Sequence, residues 1–278
     1  YRRYRFDHPS AEDLTMDPWS PLTALFGTAL VLLIAYDLLK TVLTAAGGGP
    51  VTVWISSRVW RLALRAAGTA SSSEEEGADS ARRDPPDWLG SVGPSIAVLT
   101  LLIWLAGIWT GWTLIFSGSE DAVLLAKDSS PASFVDRIYY AGYTLTTLGP
   151  GDFTPGDETW QIVTVLGAVN GLFLFTMAIT YIVPVISAAA QQRQLATLVN
   201  ALGDDPSDIL VRSWHENGFD TLEEHLVAMM PMVAAAREQH LAYPILHFFH
   251  AVEPEAALPV QLAVLDEALI LLAQGVEP

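Results

Sequence analysis

The chain of 278 residues contains no cysteine. That absence excludes a disulfide framework and a thiol nucleophile, and it leaves the redox compartment unread. Lysine is nearly missing as well. Two lysines stand beside twelve arginines in a chain rich in alanine and leucine, a composition that points to a GC-rich bacterial genome. Positive charge is scarce throughout, and the formal net charge is −17. Such a surface repels phosphates, which argues against nucleic-acid binding. No Ser/His/Asp cluster, metal-ligand spacing or glycine-rich phosphate loop stands out, so an enzyme has little support. No initiating methionine precedes Tyr1, and native N-terminal residues are expected to be missing.

The most informative absence is of charge along whole stretches. No charged residue occurs between Asp87 and Glu120, nor between Glu158 and Arg193. Each run exceeds the roughly 20 apolar residues that cross a bilayer core. A third run, from Pro18 to Tyr36, continues through Asp37 and Lys40 towards Ala46. These two charges, three residues apart, are expected to pair on one helix face or to reach the headgroups. The first run starts too late and runs too long for a cleaved signal peptide. The composition therefore describes a membrane protein with three spans.

Four segments follow: residues 1–46 with the first span, 47–93, a pore-like segment 94–190, and a tail 191–278. The "GGGP" after the first span is a helix stop. Beyond it, Arg58, Arg61 and Arg65 share one helical face, opposite Ile55, Val59, Leu62 and Ala66. That basic amphipathic helix suits the membrane interface with its arginines on anionic headgroups, or it packs as an ordinary surface helix. Residues 68–87 are polar and turn-rich, and disorder is expected there.

The second span is expected at 94–116 and the third at 158–190. Between them Ser130 and Pro131 offer a cap and a first helical position, which predicts a short helix starting there. The tail holds thirteen acidic and three basic residues after Gln192, and reads as an acidic helical domain. Asp205 with Pro206 predicts one helix start, and a Thr221–Glu224 capping box predicts another. Pro231, Pro244 and Pro259 are expected to break or start helices. Five of the six histidines lie here. Their spacings match no tight ligand motif, so structural roles are favoured over a metal site or proton sensor.

The chemistry concentrates in "TTLGPGD", residues 146–152. A dehydrated cation needs several oxygen ligands at once, and backbone supplies them only if its dihedrals alternate in sign. Gly149 and Gly151, two residues apart, make that possible. Thr146, Thr147, Leu148, Gly149, Gly151 and Asp152 stand in the order of the potassium-channel signature, with Pro155 three residues beyond. The chain thus resembles the two-span pore module of bacterial potassium channels from about residue 94 to 190, with one extra span in front.

The resemblance implies an all-α membrane protein: outer helix, re-entrant pore helix with filter loop, inner helix, and a helical cytoplasmic tail. It implies four chains around one axis, a homotetramer, with Thr147, Leu148, Gly149, Pro150 and Gly151 binding the permeant ion. That ion would be K+, or Na+ if selectivity is weak, and no cofactor is implied. Asp152 would sit behind the outer mouth with Thr146 and Tyr143 as support; Tyr143 replaces the family's usual glutamate, and either its hydroxyl bonds Asp152 instead or its ring simply packs. Gly171 takes the hinge position of the inner helix and Pro184 adds a second bend, unless both residues serve helix packing alone. Leu172, Thr176 and Thr180 would line the inner cavity. No arginine-periodic helix resembles a voltage sensor.

Pro150 stands where the family has an aromatic residue. Its fixed negative φ suits the alternation and its carbonyl survives, but the ring that braces the filter is gone. Three readings stay open: a potassium pore, a weakly selective monovalent cation pore, and a non-conducting scaffold or receptor acting through its tail. Seven acidic against two basic residues from Glu120 to Glu158 amount to about −20 in a tetramer, which attracts cations. The filter resemblance places that loop outside a bacterial plasma membrane and the tail inside, where an unknown regulator can bind. Five arginines in residues 47–93 agree, whereas Arg2, Arg3 and Arg5 disagree.

Overall fold

The computed structural model describes residues 20–44, 47–73, 86–215, 218–251 and 253–275. Helices dominate: α1 Ser20–Leu43, α2 Pro50–Ser73, α3 Val92–Phe116, α4 Phe134–Leu145, α5 Glu158–Asn200, α6 Pro206–Ser213, α7 Asp220–Ala242 and α8 Leu258–Gly275. Two three-residue strands, β1 Val123–Leu125 and β2 Phe153–Pro155, pair antiparallel with Val123 opposite Pro155. The chain forms an all-α membrane protein with a small ribbon in the loop region. Two compact units emerge, one from residues up to Tyr36 with Ile103–Thr176, the other from Asp37–Leu102 with Met177 onward.

Four helices among the described residues are long and apolar enough to cross a membrane, where the sequence reading expected three. The addition is α8, which is 18 residues long and carries Asp266 and Glu267. Its Leu265 packs with Leu195, Val199 and Met229, and its Ala268 with Ile209 and Leu222. Length and composition alone therefore do not separate a span from a buried helix of a soluble bundle.

Helix α5 runs 43 residues without interruption through Pro184. At 1.5 Å per residue that is about 65 Å, twice the hydrocarbon thickness. The expected boundary at 190 thus falls inside one helix. Pro231 likewise sits inside α7 rather than breaking it.

In the first unit α1 and α3 meet along a seam of small residues. A Cβ on Gly27 would stand 2.6 Å from the Gly111 carbonyl, and one on Gly111 would stand 2.6 Å from Val31 Cγ2. Gly107, one turn earlier, lies against Ile34. Backbones approach closely there because no side chain intervenes, the packing mode of apolar helices in lipid.

In the second unit Asp37 corrects the sequence expectation. Its carboxylate is buried and accepts from the Val51 N–H at 2.6 Å, the Thr52 N–H at 3.2 Å and the Thr52 hydroxyl at 2.6 Å. It thus caps the start of α2 from another helix, where the free N–H groups and the helix dipole favour an anion. Asp37→Ala is expected to cost about 2 kcal/mol by leaving these donors unmet. Thermal unfolding in detergent checks this, and an alanine variant that melts with the parent would refute the cap.

Two further helix starts differ from expectation, one helix runs past its expected end, and one start agrees. Helix α4 begins after Ser133, whose hydroxyl and Asp136 form a capping box, while Ser130 bonds Asp128 instead. Pro131 pairs as an isolated bridge with Leu124. Helix α7 begins at Asp220 after Phe219 with no side-chain cap, so Thr221 and Glu224 do not act as a box. Helix α2 extends to Ser73 into the expected linker; residues 74–85 and Arg2, Arg3 and Arg5 lie outside the described residues. Helix α6 starts at Pro206 with Asp205 as its cap.

Candidate functional site: the pore loop

The pore helix α4 is short, so tertiary contacts must hold it. Its Arg137 is buried and donates to four carbonyls: Ala132 at 3.1 Å, Phe116 and Ser119 at 2.9 Å, and Glu120 at 3.1 Å. One guanidinium therefore joins the start of α4, the end of α3 and the following turn. Sequence reading used Arg137 only as a charge; a buried arginine in a loop region without a nearby carboxylate motif gave no signal of this role.

Two tryptophans of α3 complete the mount. Trp109 Nε1 donates to the Ile138 carbonyl at 2.8 Å, and Trp112 Nε1 to Asn170 Oδ1 of α5 at 2.9 Å. Tyr140 shares a 2.7 Å hydrogen bond with the Thr164 hydroxyl. The C-terminal turn of α4 rests on α5, where Gly171 faces the Leu145 carbonyl so closely that no Cβ fits. The expected hinge glycine is thus also a packing seat.

From this seat the chain enters the filter segment. Thr147 has φ 57°, Gly149 φ 55° and Gly151 φ 86°, whereas Leu148 and Pro150 keep negative φ. The sign alternates at every residue from 147 to 151. This is the condition for aiming successive carbonyls to one side, and Thr147 pays the steric cost of the left-handed region without being glycine. Thr146 folds back, its hydroxyl donating to the Gly142 carbonyl at 3.0 Å. Thr146 to Asp152 are all exposed in the single chain.

The exit of the segment is tied down by backbone. The Ala126 N–H donates to the Asp152 carbonyl at 2.9 Å, next to the β1–β2 ribbon. Tyr143 does not bond the Asp152 carboxylate; its hydroxyl lies 3.4 Å from the Phe153 carbonyl. Burial first, then Tyr140 and the Asp152 charge, raise the pKa of Tyr143, so it remains a donor. Asp152 therefore acts on Tyr143 as a neighbouring charge.

An aromatic cluster links α4 to Phe153 and to the end of α3. Phe153 meets Tyr139 at 6.1 Å, Tyr139 meets Tyr143 at 5.3 Å, and Tyr143 meets Tyr140 at 5.1 Å, all edge to face. Phe116 closes the chain against Tyr140 at 4.9 Å. An aromatic residue two positions after Gly151, Phe153, thus joins the tyrosines of α4.

The ion-channel family profile matches residues 99–188, which spans α3, the filter loop and most of α5. An uncharacterized membrane protein, YdjJ of Bacillus subtilis (strain 168), is 34% identical over 250 residues, covering 89% of this chain and 69% of the relative. The chain belongs to the ion-channel family. No solved structure matches this channel.

On the channel's inner-helix candidate, Leu172 and Thr176 are exposed, and Thr176 donates to the Leu172 carbonyl at 2.9 Å. Thr180 is exposed a turn further along, and Pro184 lies half-buried within α5. On α2, Arg58 stacks over Trp54 at 4.9 Å, and Arg61 Nε donates to the Ser57 carbonyl at 3.0 Å. Arg65 is exposed on the same helix. Among the described residues no three His, Asp or Glu gather as a metal site.

Proposed function

We propose that this ion channel passes K+ down its electrochemical gradient as a homotetramer in a bacterial plasma membrane. The observation that carries the reading is the sign alternation of φ at residues 147–151 within Thr-Thr-Leu-Gly-Pro-Gly-Asp. One chain supplies one exposed carbonyl segment, and a ring of oxygens around an ion needs several such segments. The low coverage of α5, with Ile162, Val165, Val169, Leu172 and Ile179 exposed, supports partner chains and lipid around it. Filter-side residues 117–157 would face outside and the acidic tail inside, with Arg58, Arg61 and Arg65 at anionic headgroups. Transport of this kind has no chemical step.

Weak selectivity is the second reading, and one observation favours it: a Cβ at Gly149 or Gly151 would meet nothing within 4 Å, so the filter has no side-chain packing at that level within its own chain. Purified protein in liposomes with K+ on one side and Na+ on the other decides between them. A reversal potential at the K+ equilibrium value supports the first reading, and one near zero supports the second. Pro150→Tyr is expected to leave the potential within a few millivolts, because backbone fixes the loop at both ends, the Leu148 N–H on the Tyr143 carbonyl and the Ala126 N–H on the Asp152 carbonyl. A large shift would show that residue 150 itself sets the width.

A further inference from the structure

The second unit carries a half-open cavity of about 430 Å³. Helix α2 contributes Thr52 and Ser56, α5 contributes Tyr181, and the end of α7 with the following turn contributes His240, His247 and Phe248. Within this wall His240 Nε2 lies 2.8 Å from His247 Nδ1, with ring centroids 5.1 Å apart. Such a contact needs one N–H and one bare nitrogen. It survives when the pair is neutral or carries one extra proton. It cannot survive two, because both nitrogens then carry hydrogens and both rings carry charge.

Both rings are partly open to solvent. No carboxylate, lysine or arginine lines the cavity. The titratable group opposite, on α5, is the Tyr181 phenol, with Tyr243 beside it. On α2 the Ser56 hydroxyl donates to the Thr52 carbonyl and the Thr52 hydroxyl to Asp37, whose charge already serves the helix start. On α7 the neighbouring Arg237 and Glu238 pair with each other at the surface, 3.3 Å apart. A second proton would therefore be met by water and by no carboxylate of the cavity wall.

We propose that His240 and His247 form a proton-binding latch that holds the Pro244–Phe248 turn against the end of α7 and releases it when the second proton binds. Release opens the cavity wall at Tyr181 of α5, the helix that continues from the filter loop. Only this consequence for flux rests on the channel reading; the proton-binding step stands without it. Burial, and then His247, hold His240 below the ordinary imidazole value of 6.5. The folded pKa is lowered, so the latch's contribution is full above 6.5 and is lost as pH falls below it towards the folded value.

Full-length protein labelled with 15N-histidine, in lipid nanodiscs from pH 8 to pH 4.5, tests this. Imidazole NMR is expected to show a two-step, coupled titration of His240 and His247, with the second step well below the first. Amide exchange in residues 243–249 should rise at least fivefold past that step, while exchange in α8 stays constant. His247→Gln, which keeps a hydrogen-bond partner but takes no proton, is expected to keep exchange slow at low pH, and His240→Gln to do the same. Independent titrations at the ordinary value, or acid-enhanced exchange that persists in both variants, would overturn the latch. Liposome flux on the same samples separates the two proposals: silent liposomes with the coupled titration intact count against the pore and leave the latch standing.

Discussion

Gly171→Ala is expected to cut ion flux at least tenfold and to lower the melting temperature of the purified protein. A Cβ at residue 171 would overlap the Leu145 carbonyl, and the Leu145 carbon and Cα would lie 2.6 Å away. The obstacle is backbone, so no rotamer change relieves it. Either α5 shifts or the last turn of α4 does, and that turn delivers Thr146 and Thr147 into the filter. Overpacking of this kind costs about 1–3 kcal/mol. Gly167→Ala, one turn earlier, is the control. Its Cβ would meet Thr144 Cγ2 at 3.3 Å and the Trp112 ring at 3.4 Å, side chains that can yield. Flux and melting should change little there. If residue 171 serves only as a bend point, its alanine variant keeps the parent melting temperature and loses flux alone. Unchanged melting would therefore sink the packing seat while leaving a hinge.

Much of the pore loop was legible in the sequence because its chemistry is local. Alternating φ requires permissive residues at fixed positions, so Gly149 and Gly151 announce it, and charge-free runs announce α3 and α5. Thr147 shows the limit of that logic. Its left-handed φ contradicts its own preference and is imposed by the chain on either side, so no single-residue rule finds it. Ser133 and Asp136 satisfied the capping-box pattern three residues beyond Ser130, but Pro131 drew attention to the earlier site. The β1–β2 ribbon was invisible because three-residue strands carry too little periodicity to read.

What the sequence could not show are contacts between distant residues. Asp37 read as a charge in a span, and its cap on α2 depends on how the chain returns after residue 44. The length of α5 was underestimated because polarity changes at Gln191 while helical geometry does not. The histidine spacing of seven matched no ligand motif, yet a turn at Pro244 brings His240 and His247 to 2.8 Å. In each case the deciding fact is the path of the backbone between two residues, and composition does not encode that path directly.

Arg137→Met is expected to have the other largest effect, a loss of roughly 3 kcal/mol in stability. Methionine fills much of the same volume and removes all four donors. The carbonyls of Phe116, Ser119, Glu120 and Ala132 would then face each other without a cation. Hydration of the exposed Glu120 turn recovers part of the loss, which is why the figure stays below the sum of four charged hydrogen bonds. Burial lowers the pKa of Arg137 and the Glu120 charge opposes that shift; a guanidinium still holds its proton near neutral pH, so the clamp is cationic there. Arg137→Lys keeps the charge but has one nitrogen for acceptors that lie on three different segments. It is expected to recover less than half of the loss. Because the clamp fixes α4 at the end away from the filter, its loss lets the pore helix rock about the Gly171 seat, and selectivity should fall before conduction does. Thermal unfolding gives the stability, and the K+/Na+ reversal potential gives the selectivity. An Arg137→Met protein that melts and discriminates like the parent would show that the four contacts carry no net energy. A protein that melts early but keeps its reversal potential would show that the filter is held by the Asp152–Ala126 tie and the tyrosine cluster alone.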